Sequence, residues 1–206
     1  MALQGAAEAA EAFLARIRET PIKMDELAAF LDGLDHEARV AAVRATGRAD
    51  QRRLWEAAEG FAPVLLSELV PPERAELQAV RHFGRNTLPA FTHFEKRFCR
   101  PAGADPERPG ELYGFNFQAM SILTGPGYYV AYEDPDRCEV LVDYRRVPLA
   151  APPGWPAVKR NEVGLSRFVY GFMVDTLRRV SGHVTIGSAA RKGRDMGSWF
   201  LLTREP

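Results

Sequence analysis

The stretch RFVYGFMVDTLRRVSGHVTIGSAARKGRDMGSWFLLTRE, Arg167 to Glu205, decides how this chain is read. Its apolar start predicts a strand. The string Asp175-Thr176-Leu177-Arg178-Arg179 then predicts a short helix near residues 173–180. A basic turn follows at Arg191, Lys192 and Arg194, and two strands end the segment, the last running through Trp199-Phe200-Leu201-Leu202-Thr203-Arg204. Strands need paired backbone groups on both sides, so the residues before them must supply a sheet.

Those residues carry the signals of one. Alternating and aromatic-rich runs occur at Leu77–Phe83, Thr87–Arg100, Glu111–Gln118, Gly127–Glu133 and Cys138–Val147. They are separated by turn chemistry at Gly84-Arg85-Asn86, Thr124–Gly127 and Asp134–Arg137. On the second run, Phe91, His93, Glu95 and Arg97 share one face, while Phe94, Lys96 and Phe98 share the other. The proline- and glycine-rich stretch Val147–Pro156 contains Trp155, a candidate lid or plug. About seven or eight strands with short turns predict a closed barrel or strongly curved antiparallel sheet, and eight strands enclose room for one small ligand.

The first part of the chain reads differently. Phe13, Leu14 and Ile17 mark one helix, Met24–Leu31 a second, and His36 to Thr46 a third capped by Asp35; Asp50 opens a fourth with Leu54, Trp55 and Ala58. Pro71-Pro72 is a firm boundary. The expected fold class is therefore α+β, with a helical layer over residues 1–70 and an antiparallel β-barrel over 71–206, carrying the one short helix near 173–180.

Composition removes several functions. The 206 residues hold 27 Lys plus Arg against 27 Asp plus Glu, so the chain lacks the basic excess of a nucleic-acid binder. Cys99 and Cys138 form no metal-ligand cluster, and the histidines His36, His82, His93 and His183 have no chelating spacing, so neither metal nor cofactor is expected. The longest apolar runs are a few residues, so no membrane span is expected, and the default compartment is the cytoplasm. Gly125-Pro126-Gly127 lacks the Gly-Lys-Ser/Thr ending of a phosphate loop.

The closing segment resembles the C-terminal module of bacterial GXWXG-type proteins, which are lipocalin-like. The likeness rests on Val169-Tyr170, Asp175 to Val180, Ile186-Gly187, Arg191-Lys192-Gly193 and Trp199 to Arg204. Gly171 stands where that pattern has Asp, Leu177 where it has Phe, and Leu112-Tyr113-Gly114-Phe115-Asn116 is the nearest approach to Gly-x-Trp-x-Gly. The resemblance implies a calycin-like barrel and carries no activity with it.

Two groups of residues are candidates for function. From Val158 onward nine basic residues face four acidic ones, and Arg178, Arg179 and His183 are candidates for contacting an anionic or polar ligand group; the alternative is that Arg178 simply pairs with Asp175. The second group is polar and aromatic side chains on the strands, among them His82, Asn116 and Tyr132. Phe91, Tyr113, Phe115, Tyr128 and Tyr144 are candidate barrel-lining contacts, and a one-residue shift of register swaps the faces. His93 with Glu95, or Asp143 with Tyr144, are candidate acid–base groups. The leading expectation is non-catalytic binding of a small, largely apolar, aromatic or amphiphilic molecule in the barrel. Its rivals are a cyclase, isomerase or hydro-lyase on the same scaffold, and a protein-interaction module in which the N-terminal helices dock a partner or a second copy as a homodimer.

Overall fold

The computed structural model describes residues 2–89, 92–117, 126–149, 151–158, 161 and 170–206. Its eight strands are β1 (Val80–Asn86), β2 (His93–Cys99), β3 (Leu112–Phe117), β4 (Tyr128–Asp134), β5 (Glu139–Asp143), β6 (Met173–Arg179), β7 (Val184–Arg191) and β8 (Arg194–Arg204). Each pairs antiparallel with its neighbours in sequence, and β8 returns to β1 through pairs such as His82 with Arg204 and Asn86 with Phe200. The result is a closed antiparallel barrel, an arrangement that leaves no free sheet edge.

Closure makes the two-residue side-chain alternation decide everything about inside and outside. Paired residues face the same way. Val80, Phe98, Leu112, Tyr129, Val140, Leu177 and Leu202 point inward and form one core. Val184, Ile186 and Leu201 point outward into a second core with the helices. Strand β7 is therefore buried on both faces over Val184–Ala189.

The short helix expected near residues 173–180 is strand β6. Met173, Asp175 and Leu177 alternate with β-branched Val174 and Thr176, and both edges of the strand are occupied, by β5 and by β7. Two ladders satisfy more backbone groups than an isolated helical turn, so pairing overrides the helix-like charge pattern. Gly84-Arg85-Asn86 likewise continues β1 rather than turning.

The helices are α1 (Ala2–Arg18), α2 (Met24–Asp32), α3 (His36–Ala45), α4 (Arg48–Ala57) and the single turn α5 (Leu66–Leu69). Asp35 caps α3 by accepting from Ala38 N at 2.8 Å. Asp50 does not open α4 but lies one turn inside it, reaching back to accept from Gly47 N at 3.0 Å. Arg53 donates to the carbonyls of Ile17 and Glu19, satisfying the end of α1. Phe13, Ile17, Leu27, Leu31, Val43 and Leu54 lay the apolar face of this layer against β7 and β8.

One end of the barrel is plugged. Leu66 and Leu69 of α5, with Val64 and Val70, complete the inner core beside Val80 and Phe98. His82, inside this end, bonds the Leu69 carbonyl through Nε2 at 2.9 Å. Burial pushes its imidazole down to about 4.

Two inward glycines make room for rings. A Cβ on Gly114 would stand 2.1 Å from the Tyr129 ring, and one on Gly187 would stand 2.2 Å from that of Phe200. Gly187→Ala is expected to lower unfolding free energy by about 1–3 kcal/mol, the cost of overpacking a filled interior, as read by denaturant titration. An unchanged midpoint would show that the Phe200 ring moves freely.

The sign of the His82 effect follows from its depressed value. The unfolded chain takes up a proton near pH 6.5 and the folded one only near pH 4, so stability falls as pH drops through that window. The His82 share of the loss is about 3 kcal/mol by linkage. His82→Gln, which retains a donor toward Leu69, should flatten the acid limb of a Tm-against-pH curve; an unaltered limb would assign that limb to other groups.

Candidate functional site

The opposite end of the barrel encloses a cavity of about 350 Å³. Its wall is aromatic and aliphatic, from Phe94 on β2, Tyr144 beyond β5, Tyr170, Met173 on β6, Ala189 on β7 and Phe200 on β8. Leu88 and Met196, exposed to solvent, and Trp199 stand at its rim, and Arg191 and Ser198 also line it. The size and apolar lining suit a small-molecule pocket.

Its floor is polar. Lys96 projects inward from β2 between Phe94 and Phe98, and Asp175 projects inward from β6 between Met173 and Leu177. The Lys96 Nζ lies 2.9 Å from Asp175 Oδ2, with both side chains almost completely buried. The same ammonium donates to Asn116 Oδ1 at 3.2 Å and to the Tyr144 hydroxyl. Tyr144 in turn donates to Asp175 Oδ2 at 3.2 Å and accepts from Asn116 Nδ2 at 2.8 Å. The rings of Tyr129, Tyr144 and Phe200 surround the ammonium at about 5 Å, within cation–π range. Tyr170 stacks on Tyr144 with ring centroids 5.5 Å apart.

Two opposing effects act on Lys96. Burial draws its ammonium below the usual lysine range, and the Asp175 carboxylate opposes that shift. Burial, reinforced by the Asp175 charge, holds the Tyr144 hydroxyl well above the usual tyrosine range, so it stays protonated and donates. Asp175 keeps one oxygen, Oδ1, buried without a hydrogen-bond partner among the described residues.

The residues singled out in the sequence are distributed differently. Tyr144 is inside and in the cluster. Tyr113, Phe115 and Tyr128 face outward, because the register places Gly114 opposite Tyr129 with both pointing in, and the Tyr129 ring fills the space over Gly114. Phe115 and Tyr128 instead pack under Trp155, whose ring lies 4.6 Å from that of Phe115, so Trp155 covers the outer face of β3 and β4 rather than the cavity. Phe91 lies outside the described residues.

The cationic trio is also displaced. Arg178 faces outward from β6, bonded to Glu139 at 2.7 Å and stacked on Trp55, so its partner is not Asp175. Arg179 pairs with Glu68 of α5, and His183 bonds Arg204 at the plugged end. Arg178 and Arg179 therefore join helices to the barrel, and none of the three lines the cavity. His93 is exposed on the outer face, and its neighbour Glu95 pairs with Arg97 at 2.9 Å. Asp143 also faces outward, pairing with Arg145 at 2.8 Å. Neither proposed acid–base pair is assembled in the cavity.

The sequence groups Lys96 with Phe94 and Phe98 on one face of β2 without saying which face points inward and without giving Lys96 a role, and it reads Asp175 only as a partner of Arg178. The signal was a charged residue flanked two positions away on both sides by large apolar ones: Phe94-x-Lys96-x-Phe98 and Met173-x-Asp175-x-Leu177. Such a residue must be buried with a partner. No group of His, Cys, Asp and Glu able to hold a metal occurs among the described residues, and no helix there is long and apolar enough to cross a membrane.

Removing one member of the buried pair leaves the other charged and unpaired. Lys96→Met and Asp175→Leu are each expected to cost about 3–5 kcal/mol, while the double variant should lose far less than their sum. A denaturant-based double-mutant cycle measures this; strict additivity would show that the two charges do not interact. No protein-family model and no curated protein matches the chain, so the chemistry of the cavity is what bears on function.

Proposed function

We propose that the barrel binds one small, largely apolar or aromatic molecule in the cavity bounded by Phe94, Tyr170, Met173, Ala189 and Phe200, without transforming it. The observation that carries this reading is the cavity of about 350 Å³ at the end of the barrel away from α5, beside the packed inner core. Aromatic walls supply burial for the body of such a ligand, at ~25 cal/mol per Å² of apolar surface removed from water. The polar floor supplies orientation.

The closed eight-stranded order, each strand beside its sequence neighbour, supports describing the barrel as lipocalin-like, in keeping with the resemblance of the closing segment. An anionic ligand head would not find Arg178, Arg179 or His183, which contact Glu139, Glu68 and Arg204 instead; Arg191 is the arginine among the residues lining the cavity. The acid–base alternative is weakened by the outward placement of His93, Glu95 and Asp143.

Native mass spectrometry of the purified chain, together with titration of the neutral dye N-phenyl-naphthylamine, tests the proposal. Saturable binding of one dye per chain is expected, displaced by any co-purified molecule. Ala189→Phe, which fills the cavity from β7, should abolish it while leaving the thermal unfolding transition cooperative. A folded protein that neither retains a molecule nor binds the dye would sink the reading.

A further inference from the structure

We infer that the cavity selects ligands whose polar group is an uncharged hydrogen-bond donor, a hydroxyl or an N–H, received by Asp175 Oδ1; the inference rests on the binding reading above. An ammonium has three N–H groups, and Lys96 directs them at Asp175 Oδ2, Asn116 Oδ1 and the Tyr144 oxygen. The Tyr144 hydroxyl spends its proton on Asp175 and accepts from both Lys96 and Asn116. The floor's cation is thus fully used within the cluster, and nothing of it is left for a ligand anion.

What remains unspent points the other way. Asp175 Oδ1 is a buried carboxylate oxygen with no partner among the described residues, and its side chain lines the cavity. Asn116 spends one amide N–H on Tyr144 and has a second. A buried acceptor left unpaired costs free energy that a ligand donor recovers. A hydroxyl matches the site best, because it donates to Oδ1 and can accept from the amide. A carboxylate at that position would meet the Asp175 charge, and an ammonium would meet that of Lys96.

Three probes of one shape test the inference on the full chain: naphthol, naphthalene and naphthoate, titrated by calorimetry. Naphthol is expected to bind on the order of tenfold or more tighter than naphthalene, the scale of one hydrogen bond to a buried charged group, and tighter than naphthoate. In Asp175→Asn, Lys96 claims the amide oxygen and leaves an NH2 where Oδ1 stood. The naphthol advantage should then shrink toward the affinity of naphthalene, whose retained binding reports an intact cavity. Equal binding of naphthol and naphthalene to the native chain would overturn the inference, as would tightest binding of naphthoate, which would point to Arg191; both results leave the binding reading standing. Failure of all three probes to bind would overturn both. Should the variant not fold, the native series alone decides.

Discussion

Lys96 and Asp175 meet inside the barrel from strands that are not neighbours, β2 and β6, and their 2.9 Å contact ties two separate parts of the wall together. Taking two charges out of water is expensive. The expense is offset here by geometry: the ammonium has three oxygen acceptors, and aromatic faces surround it. Replacing such a pair with packed aliphatic residues is often neutral or stabilising, so stability alone is a poor reason to have it. Its position matters more, at the boundary between the packed inner core and the cavity.

That boundary follows from the alternation. Between Val80 and Asn86 the inward positions of β1 pass from Val80 and His82, packed near α5, to Asn86 at the cavity. On β6 they pass from Leu177 in the core to Asp175 on the floor and Met173 in the wall. On both strands the core segment leads into the site segment along one face, and the plugged end fixes which is which. The helical layer contributes from outside, by burying the outer faces of β7 and β8 whose inner faces hold Ala189 and Phe200.

Much of this was legible in the sequence. The strand runs at Thr87–Arg100, Glu111–Gln118, Gly127–Glu133 and Cys138–Val147, the turn at Asp134–Arg137 and the helical start were readable because alternation, turn residues and caps are local signals. What was not legible was long-range. Asp175-Thr176-Leu177-Arg178-Arg179 has helical charge spacing, and only occupied ladders on both sides make it a strand. Tyr113 and Phe115 looked like a lining because aromatic residues usually face a core. Here the inward set is Leu112, Gly114 and Asn116, since one large ring, Tyr129, needs the space above a glycine. Arg178 looked free to bind an anion because Glu139 and Trp55, its actual partners, are distant in sequence.

The helices bear on the remaining rival, a module that docks partners through them. A docking helix keeps an apolar stripe for its partner. In α1 to α4 the large apolar residues Phe13, Ile17, Leu27, Leu31 and Leu54 are consumed by the barrel. The large hydrophobic side chains that are exposed, among the described residues, are Leu65, Leu88, Phe117, Leu149 and Met196, none of them on those four helices. Two of these, Leu88 and Met196, stand at the rim of the cavity. Unburied apolar surface thus gathers where a ligand would pass, and the helices act as a buttress. A buttress on β7 and β8 stiffens the wall that carries Ala189 and Phe200, whereas the opposite wall, built on β3 and β4, has Trp155 as its outer cover. The exposed side chains Leu88 and Met196 make the rim the least buried part of the cavity wall, whereas the Lys96–Asp175 floor is almost completely buried.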